Sequence, residues 1–363
     1  MIYIYITLIS SFIGIIFSFY NKKELTTAGL VRYESKYKLI IELLMVALPF
    51  FIISSFRYYV GTDYANYSNN QIPAVLLDRQ AKVEILYKLV IKLGHFLYPN
   101  NYQVIFILTT LLIVFFSFIY IFNRSYNVPF SIVLFTLTTF FNFSMNGMRQ
   151  AIATSIFLFA TKYIVEGKAL RYFIWVFIAI GFHTSAMLFI PIYFIRNFKL
   201  SNVRLALYFL SMLLIYEFKG LVFIIINKFG IYTEYLGSYY GTGNNKILAL
   251  NILMLCLILF VVFTKGWKVL NKNNLNIDVN VLLYFILVQI LIEGIPNSSR
   301  VLLLLLPIAI TLIPNFISEL NDLTLRYIGS SFVIGCFAYY FAFNILVNNF
   351  QGTLPYTWWL FWK

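Results

Sequence analysis

Apolar runs of about fifteen to twenty residues recur along the whole chain between short polar breaks, and in hydrocarbon such runs satisfy their backbone only as helices. They fall at Met1–Tyr20, Leu39–Phe56, Tyr102–Phe122, Val128–Phe143, Ala151–Val165 and Leu170–Ile195. Further runs follow at Val203–Phe218, Ile247–Thr264, Val279–Ile295, Val301–Ile317 and Tyr327–Val347. Leu170–Ile195 reads either as one helix of about 39 Å or as two short ones turning at His183. The turned form puts more of the 27 Lys and Arg into inner loops, as the positive-inside tendency asks. The expectation is therefore about 12 spans with both ends of the chain outside. Leu170–Phe182 would cover only about 20 Å, which sets the turn below the outer surface. Irregular backbone at that depth is tolerated where it is buried or lines a wet cavity, so a recess opening outward is expected.

Two segments depart from this pattern. After the first run come Lys22, Lys23, Arg32, Lys36 and Lys38, which mark a cytoplasmic loop. Between Asn66 and Asn101, Val83, Leu86, Val90, Leu93 and Leu97 recur at helical spacing, while Lys82, Glu84, Lys88 and Lys92 avoid that stripe. This predicts an amphipathic helix lying at the interface or re-entering the membrane. The fold class expected is all-α: a polytopic transmembrane helical bundle with short or re-entrant helices, one integral-membrane domain over residues 1–363.

Composition sharpens the class. Apolar residues make up 61% and charged residues 11%, where a soluble domain carries roughly a quarter charged residues. The net charge of +14 sits in short loops, where it orients the chain and meets anionic headgroups; it does not suggest nucleic acid. Met1–Tyr20 lacks a basic leader and reads as a retained helix. Cys256 and Cys336 lie inside apolar runs and read as packing residues.

The candidate chemistry gathers around Met145–Arg196, where Arg149 and His183 flank an apolar hairpin. On the expected topology Arg57, Asp63, Arg149, His183 and Arg300 share the outer face. Three arginines at span ends on that face suggest forked donors converging on phosphate or diphosphate, against headgroup contact or a structural Arg57–Asp63 pair. His183, followed by Thr184 and Ser185, has a ring that exchanges protons near neutral pH; the alternative is a structural hydrogen bond. Asp63 follows Gly61 and can take a proton or bind sugar hydroxyls. Glu293 is an acid near the end of an outward run and a functional candidate on that ground. Glu42 and His95 read as interfacial and structural, and Tyr232, Tyr235, Tyr239 and Tyr240 as an aromatic patch suited to sugar rings or to an interface. No metal-ligand cluster, Walker loop or dinucleotide motif occurs, and neither metal nor cofactor is expected.

RYYVGTDYANY, NGMRQAIATSIFLFA, GFHTSAMLFIPIYF, SSRVLLLLLPIAI and the closing LPY, in that order, resemble the EpsG family, a branch of the Wzy-like polymerases of bacterial exopolysaccharide and capsule. The resemblance implies a multi-pass enzyme of the cytoplasmic membrane that joins oligosaccharide repeat units carried on undecaprenyl diphosphate, at the outer face. It implies motif positions at Arg57, Gly61, Asp63, Tyr64, Arg149, Gln150, His183 and Arg300. Membrane lipids, a flippase and a chain-length regulator of the same pathway are the further candidate partners. A transporter of lipid-linked oligosaccharide would instead line a path through the bilayer with polar residues, and an O-acyltransferase would need its histidine within reach of a cytoplasmic donor.

Overall fold

The computed structural model describes residues 1–21, 23–25, 30–196, 198–228, 259, 266, 271, 275–291, 300, 303–304 and 306–359, the side chains at 25, 219 and 221–228 excepted. They form two compact units, Met1–Tyr193 with Ala309–Lys363, and Phe194–Ile308. In the first unit, α1 (Ile2–Tyr20) and α2 (Lys36–Ser55) flank a small antiparallel hairpin, β1 (Lys23–Leu25) and β2 (Val31–Tyr33). The chain then continues through α3 (Ile85–Leu97), α4 (Gln103–Arg124), α5 (Val128–Leu137), α6 (Phe140–Asn146), α7 (Met148–Val165) and α8 (Ala169–Phe182). The second unit holds α9 (Asn202–Lys228) and α10 (Leu275–Leu291), joined by a bond from the Tyr208 hydroxyl to Asn280 (3.2 Å). Returning to the first unit, α11 (Ala309–Ser318) and α12 (Leu323–Phe341) close the order.

The centre of the first unit is α7, buried on almost every side. Its small residues Ala151, Ala153, Ser155 and Ala160 let neighbouring helices come close, and hydroxyls tie helices together across the apolar interior. Ser117 meets Ser155 at 2.9 Å, Ser54 meets Thr110 at 3.0 Å, and Tyr120 meets Thr311 at 2.6 Å. Outer helices do the reverse. Leu8, Phe12, Leu44 and Leu48 stand about half exposed along α1 and α2, the surface a helix offers to lipid rather than to water.

Among the described residues, four helices are long and apolar enough to cross a membrane: α1, α2, α4 and the stretch Leu323–Val347 that continues α12. The pair α5–α6, bent by 52° at Thr138–Thr139, makes a fifth if it is one span. The expectation of about 12 spans thus meets four to five. The difference lies in shorter apolar helices such as α8, α10 and Thr184–Ile195, in α7, whose polar residues lower its hydropathy, and in runs such as Ile247–Thr264 that fall outside the described residues.

The stretch Leu170–Ile195 turns. Helix α8 ends at Phe182, His183 is extended, and a 3-10 helix runs from Thr184 to Phe189. The Tyr172 hydroxyl then donates to the Phe189 carbonyl (2.7 Å) and that of Tyr193 to Gly167 (3.1 Å), so the chain has come back alongside α8. In α3 the face buried against the rest of the unit is Tyr87, Val90, Ile91 and Gly94, while Leu93 and Leu97 of the apolar stripe are exposed. Gly94 lets Ile105 of α4 approach so closely that a Cβ there would sit 2.6 Å from its side chain.

Candidate active site

The loop leaving α2 is shaped by contacts far away in sequence. Tyr59 and Gly61 take positive φ (51° and 107°), and a Cβ on Gly61 would lie 2.7 Å from the Met145 carbonyl oxygen, a contact only glycine permits. The C-terminal segment 351–359 straps the loop from outside: Gly61 N donates to Gly352 O (2.8 Å), Thr62 N to Gln351 O (3.1 Å), Tyr58 N to Thr357 O (3.0 Å), and Trp359 N to Phe56 O (2.8 Å). Asn146, at the junction of α6 and α7, closes the assembly. Its Oδ1 accepts from the Thr62 hydroxyl and the Asp63 amide, both at 2.8 Å, and its Nδ2 donates to Gln351 Oε1, also 2.8 Å.

Arg57 is enclosed, at 1% exposure. Its Nη1 donates to the Ser54 carbonyl and its Nη2 to that of Met145 (3.4 Å), and its guanidinium lies 5.2 Å from the Phe106 ring centre. The forked donors expected to face a diphosphate are turned onto main-chain carbonyls, so here Arg57 fixes the loop against the start of α7. Tyr64 stacks on Phe106 at 4.5 Å, and burial pushes its phenol up to about 12.

One turn beyond Asn146, Arg149 emerges at the head of α7. Its Nη1 donates to Glu84 Oε2 in an ion pair and to the Lys82 carbonyl (3.4 Å). Glu84 Oε1 accepts the Thr184 amide at 3.4 Å, so this carboxylate links Arg149 to the His183 turn. Tyr67 closes the other side. Burial raises its phenol above the ordinary value, with the Arg149 guanidinium pulling the other way and Asp63 adding to the rise. At the turn itself His183 Nδ1 accepts the Ser185 amide (3.2 Å), with the Ser185 hydroxyl 2.7 Å away. A neutral ring that accepts at Nδ1 carries its proton on Nε2.

Asn146 thus holds the Asp63 amide three residues before Arg149, and Glu84 links Arg149 to the Thr184 amide beside His183. Gln150 is buried in α7. Arg300 is half-buried and belongs to the second unit, and Glu293 and the tyrosines at 232–240 lie outside the described residues. Glu84, Asn146 and Gln351 were not among the candidate site residues. Their partners lie 65, 83 and 205 positions away along the chain, beyond the reach of any local pattern.

The EpsG family model matches residues 40–358. The chain belongs to the EpsG family. Members of the EpsG family are Wzy-like polymerases, so the chain is a multi-pass membrane protein of polysaccharide biosynthesis whose family points to a lipid-linked oligosaccharide substrate. No match is found among curated proteins or among solved structures. The EpsG match takes in the Arg57–Asp63 loop, Glu84, the α6–α7 junction, the His183 turn and nearly all of the strap.

Proposed function

We propose that this chain is a glycosyltransferase-type polymerase. It joins undecaprenyl-diphosphate-linked oligosaccharide repeat units at the outer face of the bacterial cytoplasmic membrane, in capsule or exopolysaccharide synthesis, around an outward-facing recess. The observation that carries this is the juxtaposition at the head of α7, where Arg149 reaches through Glu84 to the turn holding His183 and Asn146 holds the amide of Asp63. A polyprenyl diphosphate presents its charge at headgroup level, where a guanidinium at a helix end can meet it.

In the reaction, an acceptor hydroxyl attacks the anomeric carbon of the donor sugar and the bond to the diphosphate breaks. Asp63 takes the hydroxyl proton. Arg149 stabilises the negative charge gathering on the departing diphosphate, and Nε2–H of His183 donates a hydrogen bond to the same oxygens. The base is therefore assigned to Asp63 rather than to His183, because a neutral ring that accepts at Nδ1 has a donor rather than an acceptor at Nε2. Arg57 keeps a positioning role, and Tyr64 and Gln150 shape the walls.

The test is polymer formation by purified protein given only the lipid-linked oligosaccharide. A ladder of glycan lengths with release of undecaprenyl diphosphate is expected, without nucleotide sugar. Arg149→Lys should lower the rate by about 10²-fold, since an ammonium lacks the fork. Movement of the substrate across the bilayer with no new glycosidic bond would replace this reading by transport.

A further inference from the structure

Glu84 stands at the N-cap position of α3, where Ser, Thr, Asp or Asn would close the helix with a side-chain oxygen. Its carboxylate makes no such cap bond. Both oxygens point away from its own helix instead, Oε2 to Arg149 and Oε1 to the Thr184 amide. The pair is enclosed without being sealed, with side chains 17% and 15% exposed. Arg149 Nη1 is engaged by Glu84 and by the Lys82 carbonyl, while its Nε is buried without an acceptor. The guanidinium is therefore already neutralised by an internal anion, and a second anion taking the same donors must push the first aside, since like charges sharing one guanidinium in a partly enclosed site repel strongly.

We propose that Glu84 is the built-in counter-ion of Arg149: its carboxylate occupies the Nη1 donor while no substrate is bound and yields it to the incoming diphosphate, and so sets how tightly the anionic head group is held. The inference rests on the assignment of Arg149 to the diphosphate. The contacts suit such an exchange. The Lys82 carbonyl keeps the guanidinium aimed after Oε2 has left, and the Thr184 amide retains the displaced carboxylate through Oε1. Displacement of Glu84 is thereby felt at the residue next to His183, which couples filling of the diphosphate site to the turn that carries the proton donor.

A counter-ion and a purely structural ion pair predict opposite signs. Farnesyl diphosphate, a polyprenyl diphosphate without sugar, serves as the probe, bound at equilibrium to the full chain in nanodiscs of neutral lipid. Glu84→Gln keeps the shape and removes the charge, and should tighten binding by about tenfold, between the effects of exposed and buried pairs. Glu84→Asp, which withdraws the charge from the guanidinium by one methylene, should tighten it in the same direction and serves where Glu84→Gln does not fold. Arg149→Gln should bind weakly, and Glu84→Gln added to it should give no gain. Binding by either folded Glu84 variant that is unchanged or weaker overturns the proposal and leaves Glu84 as a brace for Arg149. A gain that persists without Arg149 overturns it too. Wild-type affinity in Arg149→Gln alone would remove the diphosphate assignment itself, and the proposal with it.

Discussion

At Gly61 two constraints coincide: a φ of 107° that side chains rarely adopt and a neighbouring carbonyl 2.7 Å from where a Cβ would be. Gly61→Ala should cost about 1–3 kcal/mol, through backbone strain and a displaced Met145 carbonyl. A thermal unfolding temperature equal to wild type would show that the loop relaxes freely. His183 allows a finer cut, because its two ring nitrogens do different things. His183→Asn places an amide oxygen near Nδ1 and can still accept the Ser185 amide, but has nothing at Nε2. We expect it to fold normally, bind lipid-linked substrate and fail to elongate it, whereas near-normal elongation would make the ring a helix cap and nothing more. The candidate positions exposed by the sequence were local ones, such as a histidine breaking an apolar run or a glycine two residues before an acid. Glu84 was invisible in this sense. Along the chain it is one more polar position beside an amphipathic stripe, and only the fold reveals that Arg149, 65 residues on, has claimed its carboxylate.

Helices were the easier part to read, and their ends were harder. The run at α4 stands out because twenty-two residues, Gln103–Arg124, form one helix with Arg124 in its last turn. The break at His183 was foreseeable from length and loop charge together, and the returned contacts of Phe189 and Tyr193 agree with it. The face of α3 that packs on α4 does not follow from hydrophobicity, which ranks Leu93 above Gly94, because close approach of α4 rewards the residue with no side chain. The strap had no signal of its own beyond the LPY resemblance and the aromatic residues near its end, since most of its bonds to the Arg57–Asp63 loop are main chain to main chain. It makes a direct prediction. A chain ending at Asn348 loses four main-chain hydrogen bonds to residues 56–62, together with the Asn146–Gln351 contact. Its helical circular dichroism should be close to wild type, while polymer synthesis is lost and limited proteolysis cuts between Tyr58 and Asp63. Polymer made at the normal rate by the truncated chain would show that the loop holds its shape without the strap.

Across the first unit, polar groups collect at two ends. At one end lie the Arg57–Asp63 loop, the α6–α7 junction, Glu84 and the His183 turn. At the other, Asn21 donates to the buried Glu42 (2.9 Å), Lys23 to the Tyr126 carbonyl (2.8 Å), Lys38 to the Tyr20 carbonyl (3.4 Å), and Asn315 to the Arg124 carbonyl (2.8 Å). Lys23, Lys38 and Arg124 fall on that second end, the arrangement expected when it faces the cytoplasm. On the proposed function the site end faces outward, where a lipid-linked oligosaccharide already moved across the membrane would be met. Single cysteines test this in a background with Cys256 and Cys336 replaced. Cysteine at Thr62, an exposed position of the loop, should react with an impermeant maleimide in intact cells, and cysteine at Lys38 only after permeabilisation. The same reagent addresses Arg300, whose neighbour Ser298 lies outside on the sequence-derived topology. Labelling of Ser298→Cys in intact cells would put Arg300 on the outer side and keep it a candidate for the diphosphate. Protection of Ser298→Cys in intact cells, with labelling once they are opened, would put Arg300 on the cytoplasmic side and remove it from the candidates for the diphosphate.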